Sequence, residues 1–233
     1  MQHFFNQLKS PPPNGFWRLL VLLVVVFGVF SISPLATQAA TYYIDAEDGN
    51  DSNSGLSEGD AFQTISKVNT ITPSLNPGDE VLFKRGQTHT SNETLNLSGI
   101  NGTETEKIVI SAYGSGSDPI LHILDFIAIR VQNNTSYLTL QNLYPESQGF
   151  EVISFFNGTF SNVTLENIKI NEGGFEGVRM YPSATTTNLI IKDTQITFTS
   201  VIGTGIRHQG VSQNDTFENE LPRSKLTGYQ VAG

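Results

Sequence analysis

The chain has 233 residues, a formal net charge of −9 and no cysteine. This length suits one domain with or without a terminal extension. The acidic balance argues against a nucleic-acid partner, because binding to phosphates needs a basic surface. Without disulfides, the stability of the chain must come from a continuous core and from backbone hydrogen bonds.

Residues 1–40 have the pattern of a secretory signal peptide. Two basic residues precede an apolar run at residues 19–30, and a breaker region and small residues follow. The run is shorter than the roughly 20 residues of a membrane span. We therefore expect cleavage near Ala39 or Ala40 and a secreted protein, extracellular, periplasmic or on the cell surface, with no membrane contact after cleavage. An uncleaved signal anchor is the alternative.

Residues 41–127 are predicted to form an N-terminal cap and the first coils of a β-rich fold. Short strands are expected at residues 42–44, 80–83, 107–113 and 119–123. Residues 61–71 place apolar side chains at helical spacing, with Asp60 as the N-cap. A single amphipathic helix ahead of a run of strands suits a cap over the open end of a stacked core.

Residues 128–210 contain two series of repeated apolar segments. One series begins at Gly149, Gly177 and Gly205, 28 residues apart, with an earlier copy at residues 128–131. The other series begins at Leu138, Val163 and Leu189, at intervals of 25 and 26 residues. Such periods indicate a solenoid, in which each copy adds one strand to a shared core.

Strand alternation predicts which side chains of these repeats face the core. In the second series the inward pairs are Leu138/Leu140, Val163/Leu165 and Leu189/Ile191. Asn142, Asn167 and Asp193 follow these strands and suit a recurring sharp bend, because Asn and Asp tolerate the left-handed conformation. In the first series alternation places Arg130, Glu151, Arg179 and Arg207 in one outward column and His208 inward, opposite Met180. If the strand ends at Arg207, His208 would instead turn outward and could act as a general base.

The chain resembles the right-handed parallel β-helix proteins of the pectate-lyase-like superfamily. The resemblance rests on the repeats and on the opening segments, which read YYIDAEDGNDSNSG at 42–55, AFQTISKVN at 61–69, PGDEVLFKRG at 77–86 and IVISAYGSGSDPIL at 108–121. It implies an all-β fold, a right-handed parallel β-helix with a short N-terminal capping helix. It also implies a secreted protein that acts on or binds acidic polysaccharide, often with calcium, and in the lyase branches cleaves it by β-elimination.

The outward column is the candidate substrate-binding site. Arginines bind carboxylate-bearing sugars through bidentate hydrogen bonds, so Arg130, Arg179 and Arg207, with Glu151, would hold an acidic polysaccharide. Arg207 or Lys192 would then serve as the catalytic base. The structural alternative for the column is a salt-bridged ladder in which Glu151 pairs with the neighbouring arginines. The structural alternative for Lys192 is an ion pair with Glu166 across turns, which gives the lysine no catalytic role.

The acidic loop at residues 45–53 is the candidate metal site. Asp45, Asp48 and Asp51 offer hard oxygen ligands at short spacing, which suit calcium. A solvated turn rich in Asn and Asp has the same composition. Both interpretations stand at this point.

The periodicity ends after Gly210, and residues 211–233 are predicted to be an irregular tail. This tail is either a cap or a sign that the chain is a fragment of a longer protein, and we favour the fragment. Three functions are therefore open: a carbohydrate-active enzyme such as a polysaccharide lyase, a non-catalytic extracellular glycan-binding or surface module, and an inactive fragment of a longer β-helix enzyme.

Overall fold

The computed structural model describes residues 38–171, 176–197 and 204–218. The predicted signal peptide therefore lies almost wholly outside the described residues. In the part of the chain that is described, no helix is both long enough and apolar enough to cross a membrane.

The described residues wind into a parallel β-solenoid of about five turns, which confirms the predicted fold class. Neighbouring strands of the described turns pair in parallel, as successive turns of a solenoid must. The strands are β1 (Thr41–Ile44), β2 (Glu80–Lys84), β3 (Thr88–Ser91), β4 (Leu95–Ser98), β5 (Ile108–Tyr113), β6 (Ile120–Ile123), β7 (Ile127–Gln132), β8 (Thr135–Ser136), β9 (Leu138–Ser147), β10 (Glu151–Phe156), β11 (Gly158–Ser161), β12 (Thr164–Asn171), β13 (Glu176–Met180), β14 (Ala184–Thr187), β15 (Ile190–Lys192), β16 (Gln195–Thr197), β17 (Thr204–His208), β18 (Val211–Gln213) and β19 (Thr216–Glu218).

Three sheets run along the solenoid. Sheet I follows the order β1-β2-β5-β9-β12-β15-β19 and also includes β3, β6 and β16. Sheet II follows the order β17-β13-β10-β7-β4, and sheet III the order β18-β14-β11-β8. The core lies between them, and nearly all of its aliphatic side chains are fully buried.

The predicted inward pairs of sheet I are confirmed. Leu165 stacks between Leu140 on one turn and Ile191 on the next, and all three are buried. Burying a side chain of this size stabilises the fold by about 1.5–3 kcal/mol. Because each turn contributes the same layers, the core extends without interruption along the described solenoid.

The predicted bend after these strands is also confirmed. Asn142, Asn167 and Asp193 have φ angles of 57°, 48° and 50°, in the left-handed region. The Asn167 side chain donates to the side-chain oxygen of Asn142 at 2.9 Å, so the corners are joined across turns. A second ladder of the same kind links Asn188 to Asn162 at 3.0 Å.

The predicted helix forms, although it begins later than expected. Helix α1 (Ile65–Ile71) has Thr64 as its N-cap, and the Thr64 hydroxyl accepts from the backbone N–H of Lys67 at 3.1 Å. Asp60 was the wrong N-cap because it closes a separate short 3₁₀ turn, Glu58–Asp60, where its carboxylate binds Ser54.

Helix α1 covers the edge of sheet II, as expected of a cap. The Asn69 side chain donates to the Thr94 carbonyl and accepts from the Asn96 backbone N–H, both at 2.9 Å. One side-chain amide thus takes two of the hydrogen bonds that a further strand would make at β4. This is one way to protect an exposed sheet edge.

Beyond Gly210 the ladder continues where an irregular tail was predicted. Strand β18 pairs with β14, and β19 pairs with β15, so that Phe217 lies opposite Ile191. This turn could not be recognised from the hydrophobic pattern, because Val211 and Phe217 are the only large apolar residues in residues 211–218. Residues 219–233 lie outside the described part of the chain.

Candidate functional site

The register of sheet II differs from the one that strict alternation predicts. Arg130, Ser154, Arg179 and Arg207 form the outward column, with Asn96 at its start. Placing Glu151 in this column was wrong, because Glu151 pairs with Ile127 and Glu176 in a neighbouring column.

The cause is a local break in alternation. Strand β10 buries Val152 and Ile153 in succession, and β7 does the same with Ala128 and Ile129. Two consecutive inward residues bring the residues before and after them to the same side of the strand. This is why Glu176 and Arg179, three residues apart, lie within 3.3 Å of each other.

Two glutamates and two arginines form an ionic network on this side. Arg179 Nη1 lies 3.0 Å from Glu151 Oε1 and 3.3 Å from Glu176 Oε2. Arg207 Nε lies 2.6 Å from Glu176 Oε1, and the Tyr181 hydroxyl donates to Glu151 Oε1 at 2.5 Å. The glutamates therefore offset the repulsion that two arginines on adjacent turns would otherwise feel.

Tyr181 is held between charged and aromatic neighbours. The Arg179 guanidinium lies 4.0 Å from the Tyr181 ring centroid, and the ring of Phe156 meets it edge-on at 5.1 Å. Burial, reinforced by the Glu151 carboxylate, raises the pKa of Tyr181 above its ordinary value. Tyr181 is thus a protonated hydrogen-bond donor at neutral pH.

The network contains an unusual number of unsatisfied polar atoms. Among the described residues, seven buried side-chain nitrogen or oxygen atoms make no hydrogen bond. Five of them belong here: Glu151 Oε2, Ser154 Oγ, Glu176 Oε2, Arg179 Nε and Arg207 Nε. The contacts of Glu176 Oε2 and Arg207 Nε are ionic but not aligned as hydrogen bonds. The other three atoms, on Glu151, Ser154 and Arg179, have no partner in the described residues, and a buried polar atom of this kind costs about 1–3 kcal/mol. Their concentration at one place makes it the candidate site.

An exposed aromatic pair borders the network. The rings of Phe126 and Phe150 stack with centroids 6.2 Å apart and planes within 6°, yet they are 65% and 54% exposed. A cavity of about 410 Å³ lies beside them. Phe126, Phe150 and Tyr181 form its aromatic lining, and Glu151, Glu176 and Arg179 its charged lining.

Gly149 allows the two phenylalanines to stack. A Cβ atom on Gly149 would lie 2.1 Å from the Phe126 Cα, a distance that no side chain can occupy. The backbone before Phe150 therefore needs glycine to approach the turn that carries Phe126. The glycine that suggested a repeat in the sequence serves this close contact.

The predicted site residues are only partly brought together. Arg179 and Arg207 belong to the ionic network, whereas Arg130 makes no ion pair within the described residues and does not line the cavity. Lys192 lies on sheet I and pairs with Glu166 at 2.9 Å, as its structural interpretation predicted. The structure therefore separates Lys192 from Arg207 by placing them on different sheets.

His208 takes its predicted inward position opposite Met180. Its side chain is 7% exposed, and Nε2 lies 3.0 Å from the Thr186 hydroxyl and 3.5 Å from Asp215 Oδ2. It is remote from the Glu151 carboxylate in the register of sheet II, so we assign it a structural role.

The acidic loop uses its carboxylates within the fold. Asp45 contacts Lys84 Nζ at 2.5 Å and accepts from the Gln87 side chain and two backbone N–H groups. Burial raises the pKa of Asp45, but these hydrogen bonds outweigh it and hold the pKa at about 2.

The side chains of the other two predicted calcium ligands do not complete a metal site with Asp45. Asp51 binds the backbone N–H groups of Gln63 and Thr64 ahead of helix α1, and Asp48 is exposed. Across the described ranges, no three or more His, Cys, Asp or Glu side chains are arranged to hold a metal ion. Calcium binding at this loop stays a prediction.

Sequence reasoning missed Glu176, Tyr181 and Phe126. A usable signal was the match between Glu151-Val152-Ile153 and Glu176-Gly177-Val178, where an acid precedes the two buried positions. The apparent 28-residue period obscured it, because β10 and β13 are offset by 25 residues.

Comparison with known proteins relates the chain to carbohydrate-active enzymes. No family model matches it. Over 82 residues the chain is 34% identical to a lacto-N-biosidase from Bifidobacterium longum subsp. longum, a stretch that spans 35% of this chain and 5% of that protein.

Two solved structures share the fold. A GH136 lacto-N-biosidase from Eubacterium ramulus matches with a TM-score of 0.58 and 22% identity over 67% of this chain and 34% of the other. A rhamnogalacturonan lyase matches with a TM-score of 0.54 and 18% identity over 78% of this chain and 51% of the other. The chain thus spans about a third to a half of the length of these two structures.

Proposed function

We propose that this chain carries a glycan-processing site at Glu151, Glu176 and Arg179, and that the site hydrolyses a glycosidic bond. The observation that carries the proposal is the pairing of two carboxylates on neighbouring turns beside a cavity with an exposed aromatic pair. The similar proteins, a glycoside hydrolase and a polysaccharide lyase, support a carbohydrate substrate.

The carboxylate geometry suits hydrolysis. Glu151 and Glu176 are register partners, and the same nitrogen of Arg179 contacts both. Contact with one shared nitrogen, at 3.0 and 3.3 Å, keeps the two carboxylates close together, and a short separation of about 5–5.5 Å is what a retaining glycosidase needs. One group in its acid form would protonate the leaving oxygen, while the other attacks the anomeric carbon or takes a proton from the attacking water.

The surrounding side chains would orient the sugar and the carboxylates. The exposed faces of Phe126 and Phe150 offer an apolar surface to the C–H face of a sugar ring. Tyr181 and Arg179 both bind Glu151 Oε1 and so fix that carboxylate relative to the cavity. Holding the reacting groups in position supplies much of the rate of an enzyme.

The charges of the cavity favour a neutral glycan. Its lining contains two carboxylates and one guanidinium, and the guanidinium is already engaged by both carboxylates. A uronate placed here would meet negative charge without a free cation to bind it. We therefore propose a neutral saccharide as the substrate of this site.

A second candidate function is the cleavage or binding of acidic polysaccharide along the arginine column. The Arg207 side chain is 43% exposed, and Arg130 makes no ion pair in the described part of the chain. In this case Arg130 would bind a uronate carboxylate, and Arg207, in its neutral form, would remove the neighbouring proton as the base for β-elimination. This activity needs no contribution from Glu151.

One experiment separates these candidates. The full chain is incubated with neutral oligosaccharides and, separately, with polygalacturonate, alginate and chondroitin. New reducing ends without ultraviolet absorbance indicate hydrolysis, and absorbance from unsaturated uronate indicates elimination. We expect hydrolysis of a neutral glycan, lost by at least a hundredfold in Glu151→Gln and in Glu176→Gln, in line with general acid–base contributions of about 10²–10⁴.

Glu166→Gln is the matched control, because Glu166 is a paired glutamate on sheet I, away from the cavity. Full activity in Glu151→Gln and Glu176→Gln would overturn the proposed mechanism. Glycan binding with no turnover would instead favour a non-catalytic module.

We also propose that the protein is exported, on the basis of the signal-like composition of residues 1–40.

A further inference from the structure

A second, smaller cavity adjoins the proposed catalytic site. Its volume is about 190 Å³, and it is lined by Leu124, Asp125, Phe126, Gln148 and Gly149. Phe126 lines both cavities, so the two spaces meet at one exposed ring. The volume lies below the roughly 300–1,000 Å³ of sites for drug-sized ligands, which suits one small ring.

The lining of this cavity combines apolar surface with fixed polar groups. Leu124 and Phe126 are 39% and 65% exposed, an unusual degree for adjacent large apolar side chains. Asp125 Oδ1 accepts from the Phe126 backbone N–H at 2.6 Å, and Asp125 Oδ2 lies 3.3 Å from the Thr94 hydroxyl. These bonds orient the Asp125 carboxylate and leave acceptor capacity for a hydroxyl group.

Gln148 supplies the complementary donors. Its side chain is exposed and makes no hydrogen bond within the described residues, while its backbone N–H is bound to the Ile123 carbonyl. The backbone thus anchors the residue and the amide is free to bind a ligand. An apolar ring face with a carboxylate and an amide at its edge is the arrangement that recognises a sugar ring.

We propose that this cavity is a second sugar subsite, which binds a neutral ring adjacent to the unit held at Glu151 and Glu176. The inference rests on the proposed function, because it extends the same glycan chain across Phe126. The cavity has one carboxylate and no cation in its lining, so a uronate is disfavoured there as well. The substrate is therefore a neutral oligosaccharide of at least two consecutive units.

The test compares substrates of different length. Leu124→Trp fills the cavity with a larger side chain, and Gln148→Ala removes the free amide. We expect the ratio of KM for a neutral tetrasaccharide to KM for an aryl monoglycoside to rise about tenfold in Leu124→Trp, and severalfold in Gln148→Ala. A tenfold change corresponds to about 1.4 kcal/mol of binding free energy.

Leu56→Trp is the control, because Leu56 is a comparably exposed leucine, 56% accessible, that lines neither cavity. An unchanged KM ratio in both cavity variants would overturn the subsite. If the wild-type chain hydrolyses no glycoside, calorimetry with the same oligosaccharides decides the two proposals separately. Length-dependent binding that Leu124→Trp abolishes would retain the subsite and reject only catalysis, whereas no binding at any length would reject the subsite too.

Discussion

The Nη1 atom of Arg179 lies 3.0 Å from Oε1 of Glu151, although the two residues are 28 positions apart in the chain. The contact joins β10 to β13 across one turn of the solenoid, and the Glu151 side chain is only 5% exposed. Charge pairs in this setting act as a unit, because removing one partner leaves the other charge buried and unpaired.

Arg179→Met is therefore expected to destabilise the fold. The change leaves Glu151 without its guanidinium and should lower the free energy of unfolding by about 3–5 kcal/mol. Denaturant unfolding of the wild-type and variant chains measures it. In Arg179→Met/Glu151→Leu, most of this loss should be recovered, because no unpaired charge remains. Equal stabilities for the single and double variants would contradict the coupling.

Gly149→Ala is expected to displace the aromatic pair. The added Cβ would overlap the Phe126 backbone, and overpacking of this kind costs about 1–3 kcal/mol. Thermal unfolding should report the loss of stability, and glycan affinity should fall with it. Gly59→Ala is the control, because a Cβ on Gly59 meets no atom within 4 Å. Similar melting temperatures for both variants would show that the close approach is unimportant.

Acid stability should depend on Asp45. The folded state lowers its pKa from 3.8 to about 2, so the folded state binds this proton less tightly than the unfolded chain. The contribution is complete above the ordinary pKa and is lost as the pH falls from 3.8 to about 2. Asp45→Asn should flatten the pH dependence of unfolding in that interval. Asp48→Asn, at an 84% exposed side chain, should retain the wild-type slope.

Asn167→Ala should weaken the corner between turns. Asn167 has a φ angle of 48°, and an alanine in the left-handed region costs about 1–2 kcal/mol. The variant also loses the hydrogen bond to Asn142. Asn167→Gly removes the same hydrogen bond but relieves the backbone strain, so it should be the more stable of the two variants. Chemical denaturation of both distinguishes the conformational effect from the hydrogen bond.

Sheet I could be predicted from the sequence because its strands follow the simplest rule. Leu138, Leu140 and their counterparts alternate strictly, and an Asn or Asp marks each bend. The repeats indicated a solenoid, and the resemblance carried by the repeats and the opening segments indicated a parallel β-helix. The helix could be predicted because its apolar residues have regular helical spacing. Ile65, Val68 and Ile71 lie on it at intervals of three residues.

The candidate site could be predicted only in part because it lies where the rule breaks. Val152 and Ile153 face the core in succession, which shifts Glu151 out of the arginine column. Its partner Glu176 lies on the next turn, and the 28-residue spacing of the glycines obscures the 25-residue offset that matches the two glutamates. The exposure of Phe126 likewise contradicts the rule that large aromatic residues are buried, and departures of this kind are expected at functional sites.

The amide of Asn69 makes the hydrogen bonds of a strand without being part of one. The Thr72 hydroxyl, in the turn that follows helix α1, donates to the Asn96 carbonyl at 3.1 Å. In Asn69→Ala the Thr94 carbonyl and the Asn96 N–H would lose their partner, whereas the Asn96 carbonyl would keep its own. The barrier against pairing of β4 with another polypeptide is therefore divided between an amide and a hydroxyl carried by consecutive turns of one short segment.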